Sequence, residues 1–373
     1  MKITDLKVWI LQAEKDNWVY TKIYTDEGIT GVGECSVEGR ELTVKAAVEE
    51  LRRYLIGADP FETEKIYYRC FRDGYWGAGA ILTGALSAVD GALWDIKGKA
   101  LGVPVYQLLG GKIRDSIRVY ANRWFFGANT PEELASRAVN VVKQGYTAMK
   151  WDPFGRAEQT ISHAQLDRAL TEIAAVRDAV GPQVDLLIEG HGRFNIRTAT
   201  EIAREIAPFK PMFFEEPVMP ENIDALRQVH DASPVAIAAG ERYYTQMDFR
   251  AALEARAVDY LQPDLRETGG LTQGKRIATL AESFFVPIAP HNIHGQIGTA
   301  MSLHLCASSP NACILEFSVE DVQVQNSILT SHFRPENGMM KIPDTPGLGI
   351  DLNEEEAERY PYRVQSMIES MFD

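Results

Sequence analysis

Residues 186–195 read LLIEGHGRFN and residues 213–221 read FFEEPVMPE, and in each stretch a short apolar run ends on a glutamate, Glu189 or Glu215. A third glutamate, Glu241, follows the next apolar run, and each interval between successive glutamates is 26 residues. This interval fits one strand, one helix and their connections. The spacing therefore predicts a parallel sheet in which three successive strands each end on a carboxylate.

The same pitch continues toward the C-terminus, where Asp264, His291 and Glu316 end the next three apolar runs. Short apolar runs alternate with longer amphipathic stretches, which is the pattern of strands joined by helices. Eight strands close a TIM barrel. The predicted strands are residues 117–120, 147–150, 184–188, 212–214, 235–239, 260–262, 286–289 and 313–315.

The stretches between these runs have helical character. Residues 131–144 show it best, since Thr130 is a capping residue and Pro131 occupies the first turn. Residues 199–207 and 273–283 have the same character. We therefore predict an α/β fold centred on a modified TIM (β/α) barrel.

The chain ahead of the barrel has a different pattern. Residues 1–30 are typical of a β-meander, and residues 44–55 and 80–101 are typical of helices. At the other end, PDTPGLGID and an acidic stretch cannot continue the barrel repeat. We predict three segments: an N-terminal α+β domain at 1–115, a catalytic barrel at 116–342, and a C-terminal segment at 343–373 that returns to the first domain.

Composition narrows the class of protein. The 373 residues are 45% hydrophobic and 24% charged, as expected for a globular protein with one large and one smaller domain. The formal net charge of −14 opposes attraction to nucleic acid and to anionic membranes. We therefore expect neither as a partner, and a small anionic substrate would need a locally positive site.

The cysteines and the N-terminus indicate the compartment. Four scattered cysteines without a C-x-x-C pair suggest neither a disulfide framework nor a zinc ribbon. The N-terminal sequence MKITDLKVWI lacks the apolar core of a signal peptide, and no later run approaches a membrane span. We expect a cytoplasmic protein. The cysteines are Cys35, Cys70, Cys306 and Cys313.

The three glutamates point to a metal. The C-terminal ends of all strands of a barrel surround one mouth, so Glu189, Glu215 and Glu241 must share a small volume. Crowded carboxylates repel one another unless a cation neutralises them, and ligation by oxygen alone favours Mg²⁺ over zinc. The alternative is that each glutamate caps the following helix, but three in register make that a poor explanation.

Two histidines lie where chemistry is expected. His191 is two residues beyond Glu189, so both side chains point to the same mouth, where a histidine can act as an acid. Asp264 and His291 end neighbouring strands, where the carboxylate could hold the imidazole of a general base in one tautomer. His294 is a competing base. The remaining histidines fit surface or core positions: His163, His230, His304 and His332.

Lys150 ends the second predicted strand, within MKWDPFG. Two interpretations remain open for this residue. It could form a structural ion pair with a ligand carboxylate, or it could place positive charge beside an anionic substrate.

At these residues the chain resembles the mandelate racemase subgroup of the enolase superfamily. The matching motifs are LLIEGHGRFN, FFEEPVMPE, AAGERY, LQPDLRETGG, APHNIHG and ILEF, and the resemblance runs along the whole chain. It implies an N-terminal α+β capping domain, completed by the C-terminal segment, over a modified barrel. Within the subgroup, the motifs look most like those of gluconate, galactonate and arabinonate dehydratases.

The resemblance also implies roles for single residues. Glu189, Glu215 and Glu241 would bind one Mg²⁺ per active site, and Asp264 with His291 would abstract the proton beside a substrate carboxylate. Glu316 would be a protonated carboxylic acid that donates a hydrogen bond to that carboxylate, which requires a raised pKa.

The chain departs from the pattern of the subgroup at two positions. Glu189 stands where many members carry aspartate. Racemases of the subgroup carry a K-x-K pair on the second strand, whereas here Lys150 and Trp151 are followed by Asp152. One of the two opposed bases of a racemase is therefore missing.

The expected reaction is dehydration of a sugar acid. His291 would take the proton from C2, His191 would protonate the 3-hydroxyl as it leaves, and the product would be a 2-keto-3-deoxy acid. The alternative is an epimerase, racemase or lactone cycloisomerase that uses the same enediolate. An idle protein that kept only the fold is a third class, which the intact triad and dyad argue against. We expect a homo-oligomer, because these are common in the family.

Two further groups of residues lie near the predicted mouth. Arg193, Arg242 and Arg266 could reach the substrate, although charged residues at loop starts are usually solvated or paired. Capping-domain loops are expected to close the site, and aromatic or charged side chains lie in four of their turns: Trp18, Arg40, Tyr75 and Trp76.

Overall fold

A computed structural model describes residues 1–13, 16–73, 75–319 and 323–364 of the protein. Its N-terminal part is an antiparallel sheet of order β1-β2-β3 covered by helices. The strands are β1 (Ile3–Ala13), β2 (Asp16–Thr25) and β3 (Thr30–Glu34), and the helices are α1 (Glu41–Leu55), α2 (Thr63–Arg72) and α3 (Ala80–Leu101). This sheet and these helices form the predicted α+β capping domain.

Helix α3 lies unusually close to strand β3. A Cβ atom on Gly33 would lie 1.9 Å from the carbonyl oxygen of Ala88, and one on Gly31 would lie 2.1 Å from that of Ala92. Only glycine fits at these two positions, because any side chain would overlap the helix backbone. The close approach fixes the end of β3, where Glu34 lies.

The barrel follows in chain order. Its parallel ladder has the order β10-β4-β5-β6-β7-β8-β9. Its elements are α4 (Val105–Leu108), β4 (Ser116–Asn122), α5 (Pro131–Lys143), β5 (Ala148–Trp151), α6 (His163–Val180), β6 (Asp185–Glu189), α7 (Ile196–Ile206), β7 (Phe213–Glu215), α8 (Ile223–Ala232), β8 (Ile237–Ala239), α9 (Gln246–Glu254), β9 (Tyr260–Leu261), α10 (Gly270–Ser283), α11 (Gln296–Ser308) and β10 (Leu315–Ser318).

The run at residues 286–289, predicted as the seventh strand, closes the ring without a continuous ladder. Ile288 forms single parallel bridges with Leu261 on one side and with Ala312 on the other. Backbone hydrogen bonds of 2.8–3.0 Å accompany these bridges. The ring is completed where β10 pairs with β4 in parallel. The prediction of a modified barrel is thus confirmed.

A layer of buried side chains lies inside the barrel, and each of its seven members belongs to a strand or directly precedes one. Tyr260 of β9 packs against the same layer from a partly buried position. All seven are fully buried: Tyr120, Ala148, Leu187, Phe213, Ala238, Ala289 and Ile314. Because side chains alternate along a strand, the residues two positions further on point into the mouth above this layer. Those positions include Lys150, Glu189 and Glu215.

Helix starts follow local capping. The hydroxyl of Thr130 accepts a hydrogen bond from the N–H of Glu133, as predicted for α5. Asn195 caps α7 by accepting from the N–H of Thr198, so this helix begins at residue 196 rather than at the predicted 199. Helix α3 has the predicted bounds.

The chain after β10 returns to the capping domain. Its elements are α12 (Gln323–Ile328), β11 (Met339–Lys341), which pairs antiparallel with β4, and α13 (Glu354–Ala357). Lys22 of β2 lies 2.9 Å from Asp351, and Trp9 of β1 donates from Nε1 to Glu358 at 2.8 Å. Residues 365–373 of the predicted C-terminal segment lie outside the described residues. The boundaries after residues 115 and 342 stay a prediction.

Within the described ranges, no helix is long and apolar enough to cross a membrane.

Candidate active site

The three glutamates predicted as metal ligands do meet at the mouth of the barrel. Glu189 and Glu215 are direct partners in the parallel ladder of β6 and β7. Glu241 lies two residues beyond the end of β8, on the loop, and is more exposed than the other two. One carboxylate oxygen from each of the three lies within 4.8 Å of the others.

The electrostatics of this cluster fit a bound cation. Burial raises the pKa of Glu215 well above its ordinary value, and the negative charge of Glu189 raises it further. Oxygen Oε2 of Glu215 is buried and has no hydrogen-bond partner among the described residues. A divalent cation would satisfy that oxygen and neutralise the crowded charge, and a donor set of oxygens suits Mg²⁺. The triad could therefore hold the metal expected from the sequence.

Lys150 lies beside the triad and is almost fully buried. Its Nζ is 2.7 Å from Glu215, 3.0 Å from Glu316 and 3.3 Å from Glu189. Burial lowers the pKa of Lys150, but the surrounding carboxylates outweigh burial and hold it well above its ordinary value. Of the two interpretations left open for Lys150, these contacts favour the structural ion pair.

His291 and Asp264 form the expected pair. Nδ1 of His291 lies 2.7 Å from Oδ2 of Asp264, while Nε2 faces Glu241 at 3.1 Å and Glu316 at 3.6 Å. Burial lowers the pKa of His291, but the charges of Glu241 and Glu316 raise it to about 10. The contact with Asp264 fixes the ring so that Nε2 is the atom that faces the mouth.

Asp264 is itself held by an arginine. Arg266 donates from Nε to Oδ1 of Asp264 at 2.9 Å and makes a second, very short contact from Nη2 to Oδ2. Burial raises the pKa of Asp264, but Arg266 and His291 hold it below its ordinary value. Asp264 is therefore an ionised acceptor.

His191 lies in a second pair that the sequence did not predict. Its Nδ1 is 2.6 Å from Oδ2 of Asp152, which follows β5, and Arg193 contacts the same oxygen at 2.5 Å. Burial lowers the pKa of His191, but the charge of Glu189 and the hydrogen bond to Asp152 raise it to about 9. His191 has a φ of 49°, which a left-handed turn requires, and its N–H donates to Glu189 at 2.7 Å.

The predicted role of Glu316 as a hydrogen-bond donor requires a raised pKa and stays a prediction, because the neighbouring charges act in the other direction. Burial raises its pKa, but the positive charges of Lys150 and His291 lower it below the ordinary value. Its carboxylate accepts hydrogen bonds from Nδ2 of Asn122 at 2.7 Å and from the N–H of Asn292 at 3.0 Å. With Nζ of Lys150 at 3.0 Å, donors therefore lie within hydrogen-bond distance of both carboxylate oxygens of Glu316.

The three arginines noted in the sequence are paired with protein carboxylates. Arg193 contacts Asp152, Arg266 contacts Asp264, and Arg242 contacts the buried Glu216. The interpretation of these arginines as paired residues is confirmed.

A cavity of about 680 Å³ opens above the triad, and capping-domain residues form one side of its wall. These are Asp16, Val37, Glu38 and Ala80, and Glu38 contacts Nε2 of His294 at 2.9 Å. His294, the competing base, thus lines the cavity and is paired with Glu38. Its partner is a capping-domain carboxylate.

The four capping residues expected to close the site do not line this cavity. Trp18 is buried against Tyr20, and Arg40 is exposed at the start of α1. Tyr75 and Trp76 are 84% and 77% exposed and contact each other edge to face. Ordinary packing is the alternative interpretation of the aromatic residues among them, and a role in closing the site stays a prediction, because turn position and aromatic character do not specify which side of a domain faces its neighbour.

A capping α+β domain over a barrel whose mouth carries an acidic triad and a His–Asp pair defines an enzyme of the enolase superfamily. Residues 4–110 match the mandelate racemase / muconate lactonizing enzyme N-terminal domain, and residues 133–357 match the enolase C-terminal domain-like family. The chain therefore belongs to the mandelate racemase / muconate lactonizing enzyme family, and the predicted family is confirmed.

Similar proteins are known from sequence and structure. A D-gluconate dehydratase of Thermoproteus tenax is 39% identical over 345 residues, which cover 92% of this chain and 69% of the relative. A D-galactonate dehydratase of Ralstonia pickettii is 37% identical over 360 residues, with coverage of 95% and 93%. The crystal structure of an enolase superfamily member from Salmonella Typhimurium has a TM-score of 0.92 at 34% identity, with coverage of 96% and 98%.

Proposed function

We propose that the protein is a magnesium-dependent dehydratase of an aldonic acid of gluconate, galactonate or arabinonate type. The observation that carries the proposal is the placement of two carboxylate-held histidines, His191 and His291, beside three clustered glutamates. The relatives named D-gluconate and D-galactonate dehydratase support the substrate class. The reaction would remove the C2 proton and the 3-hydroxyl and release a 2-keto-3-deoxy acid.

The two histidines lie on opposite sides of the mouth. His191 follows β6 and His291 follows the strand at residues 286–289, and these strands are four positions apart in the ring. A substrate between them would meet one imidazole from each side. A base and an acid can therefore act on neighbouring carbon atoms in one bound orientation.

His291 is the proposed base. Its Nδ1 is held by Asp264, so Nε2 is the atom that would accept the C2 proton. A magnesium ion bound by the three glutamates would offset the second negative charge that arises as this proton leaves, and would lower the pKa of His291. Asp264 stabilises the imidazolium that forms, because it stays ionised beside Arg266.

His191 is the proposed acid. As the bond between C3 and its oxygen breaks, Nε2 of His191 would give a proton to that oxygen, which leaves as water. The remaining enol tautomerises to the 2-keto acid. Hydroxide is a poor leaving group, so a dehydration needs a second histidine that protonates the departing oxygen.

The buried cation Lys150 balances the acidic cluster. Its contacts with Glu189, Glu215 and Glu316 keep three carboxylates together at a position where burial alone would protonate them. Lys150 also lines the cavity, so its positive charge would attract an anionic substrate.

The function is tested by incubating the protein with Mg²⁺ and a panel of aldonic and aldaric acids. Formation of 2-keto-3-deoxy products is followed as their semicarbazones. We expect turnover of at least one aldonic acid, and its loss in His291→Asn. Failure of the wild-type protein to dehydrate any aldonic acid would disprove the proposal.

A second candidate is an epimerase or racemase, or a lactone cycloisomerase. The opposed imidazoles favour the first two, since one could remove the C2 proton and the other could return a proton from the opposite side. In D₂O such an enzyme would give substrate-like products with deuterium at C2 and no 2-keto acid. A dehydratase would instead give the 2-keto-3-deoxy product, so one experiment separates the two functions.

A further inference from the structure

We propose that Asp152 is a positioning residue that fixes the leaving-group acid, His191, so that its Nε2 faces the substrate. The inference rests on the proposed dehydration, since it concerns the proton donor of that reaction. It starts from the distance of 2.6 Å between Oδ2 of Asp152 and Nδ1 of His191.

The role of Asp152 as a hydrogen-bond acceptor follows from its second partner. Nη2 of Arg193 lies 2.5 Å from the same Oδ2 atom, and a guanidinium can only donate. A carboxylate oxygen placed between a guanidinium and an imidazole is an acceptor, so Nδ1 of His191 carries the hydrogen. The other ring nitrogen, Nε2, is left for the cavity that His191 lines.

The carboxylate is held in place by its own loop. Oδ1 of Asp152 accepts a hydrogen bond from the N–H of Phe154 at 2.9 Å, and Phe154 is fully buried. The ring of Phe154 packs edge to face against Phe194, which follows the acid by three residues. The loops after β5 and β6 are therefore packed against each other, which restrains Asp152 beside His191.

The loop that carries His191 depends on this contact. His191 has a positive φ, and its side chain is 32% exposed toward the cavity, so packing alone restricts the ring weakly. Arg193 adds a bond from Nε to the carbonyl oxygen of Gly190 at 3.1 Å, which closes the turn around His191. Asp152 contacts both the imidazole of His191 and the guanidinium of Arg193, so it links the His191 ring to the turn that carries it.

The arrangement repeats that of the base. In both pairs an aspartate that follows the adjacent strand contacts Nδ1 of the histidine, and an arginine contacts the same carboxylate. For the acid this is Arg193, two residues after His191, and for the base it is Arg266, two residues after Asp264. The position of Asp152 thus supports an acid on the neighbouring strand, as Asp264 supports the base.

The test uses Asp152→Asn, which keeps the shape and removes the charge, and Asp152→Glu as the conservative variant. Glu158→Gln is the matched control, since Glu158 is an exposed carboxylate of the same loop. We expect Asp152→Asn to lower kcat for dehydration by about 100-fold or more, the contribution of a general acid, with little change in KM. Exchange of the C2 proton with solvent deuterium should persist, because His291 is untouched.

A fluorinated substrate separates positioning from folding. The 3-deoxy-3-fluoro analogue of the aldonic acid loses fluoride, which needs no proton from an acid. Asp152→Asn should eliminate fluoride within about 3-fold of the wild-type rate, and Asp152→Glu should recover part of the dehydration. An equal loss of fluoride elimination and dehydration, or wild-type dehydration in Asp152→Asn, would overturn the proposal.

A spectroscopic measurement does not depend on turnover. In protein with ¹⁵N-labelled histidine, the hydrogen on Nδ1 of His191 should give a downfield resonance that is absent from Asp152→Asn and present in Glu158→Gln. Persistence of that resonance in Asp152→Asn would also overturn the proposal. If the wild-type protein dehydrates no aldonic acid, the proposed function fails, and a lost resonance would still show that Asp152 positions His191.

Discussion

Nη1 of Arg266 lies 3.9 Å from Oε1 of Glu34, so the guanidinium that holds Asp264 also faces a carboxylate of the capping domain. Glu34 accepts hydrogen bonds from the N–H groups of Gly295 and Gly298 at 2.9 and 2.8 Å, at the start of α11. All three charged side chains are at most 1% exposed. The support of the proposed base therefore extends from the barrel into the capping domain.

Replacing Arg266 should damage both stability and catalysis. Arg266→Met leaves Asp264 and Glu34 buried without their cation, which costs about 3–5 kcal/mol of the free energy of unfolding. We expect kcat to fall about 10–100-fold as His291 loses its fixed partner. Urea unfolding and steady-state kinetics measure the two effects. Arg276→Met, which removes an exposed ion pair with Glu64, is the control and should change stability by less than about 0.5 kcal/mol. Equal stability of the two variants would contradict the prediction.

Removing the metal should lower stability through the acidic triad. At a magnesium concentration of about 100 times Kd, binding to the native state adds about 2.7 kcal/mol. The melting temperature should therefore fall on addition of a chelator and recover with excess Mg²⁺. Glu241→Gln should abolish this response, whereas Glu221→Gln should keep it, since Glu221 is exposed outside the cluster. A wild-type protein indifferent to Mg²⁺ would argue against a metal at this site.

Buried His304 should make the protein less stable in acid. Burial lowers its pKa to about 4, while Nδ1 accepts a hydrogen bond from the N–H of Tyr106 at 3.2 Å. The unfolded state therefore binds more protons than the native state between the ordinary histidine pKa of about 6.5 and pH 4, so stability falls as the pH is lowered through this window. The loss reaches about 3 kcal/mol below pH 4.

The variant His304→Asn isolates this contribution. Its Oδ1 can accept the same hydrogen bond, but it has no proton to gain. We expect the difference in the free energy of unfolding between wild-type protein and variant to shrink from pH 7 to pH 4, measured by denaturant titration at several pH values. A difference that does not change with pH would show that His304 is not buried in the neutral form.

The return of the C-terminal segment depends on Asp351. Its carboxylate lies 2.9 Å from both Lys22 and Lys99, which belong to the capping domain. Asp351→Asn should lower the free energy of unfolding by about 1–2 kcal/mol, less than for a fully buried pair, because Asp351 is 29% exposed. Hydrogen exchange should become faster along β2. Glu49→Gln, which breaks an exposed pair with Lys45, should leave both measurements unchanged.

The sequence correctly predicted the positions of those residues that recur with the spacing of the strand–helix units. Glu189, Glu215 and Glu241 recur at one interval because each unit of a barrel has nearly constant length, and His291 follows from the same pitch. The seventh strand was placed correctly, although its ladder is reduced to the bridges of Ile288. Periodic spacing thus specified which side chains meet at the mouth.

The partners of those residues were harder to predict. From the sequence, Asp152 was noted only as a position without lysine. Asp152 and His191 follow neighbouring strands, as Asp264 and His291 do. This likeness could have predicted the contact between Asp152 and His191. The contact of Glu34 with Arg266 has no such signal, because it joins two domains whose relative placement follows from packing rather than from a repeat. The protonation of Glu316 stays a prediction, because it depends on Lys150 and His291, whose distances no sequence spacing gives.

The layer of seven buried side chains beneath the mouth has a kinetic consequence. Residues such as Tyr120, Phe213 and Ile314 leave no exposed surface at the centre of the barrel, so this end is sealed. Among the described residues, the cavity lies on the side of the capping domain, so the proposed substrate would enter there, and the keto acid and the expelled water would leave on the same side. Uptake of the next molecule would then have to wait until the previous product has left that side of the barrel.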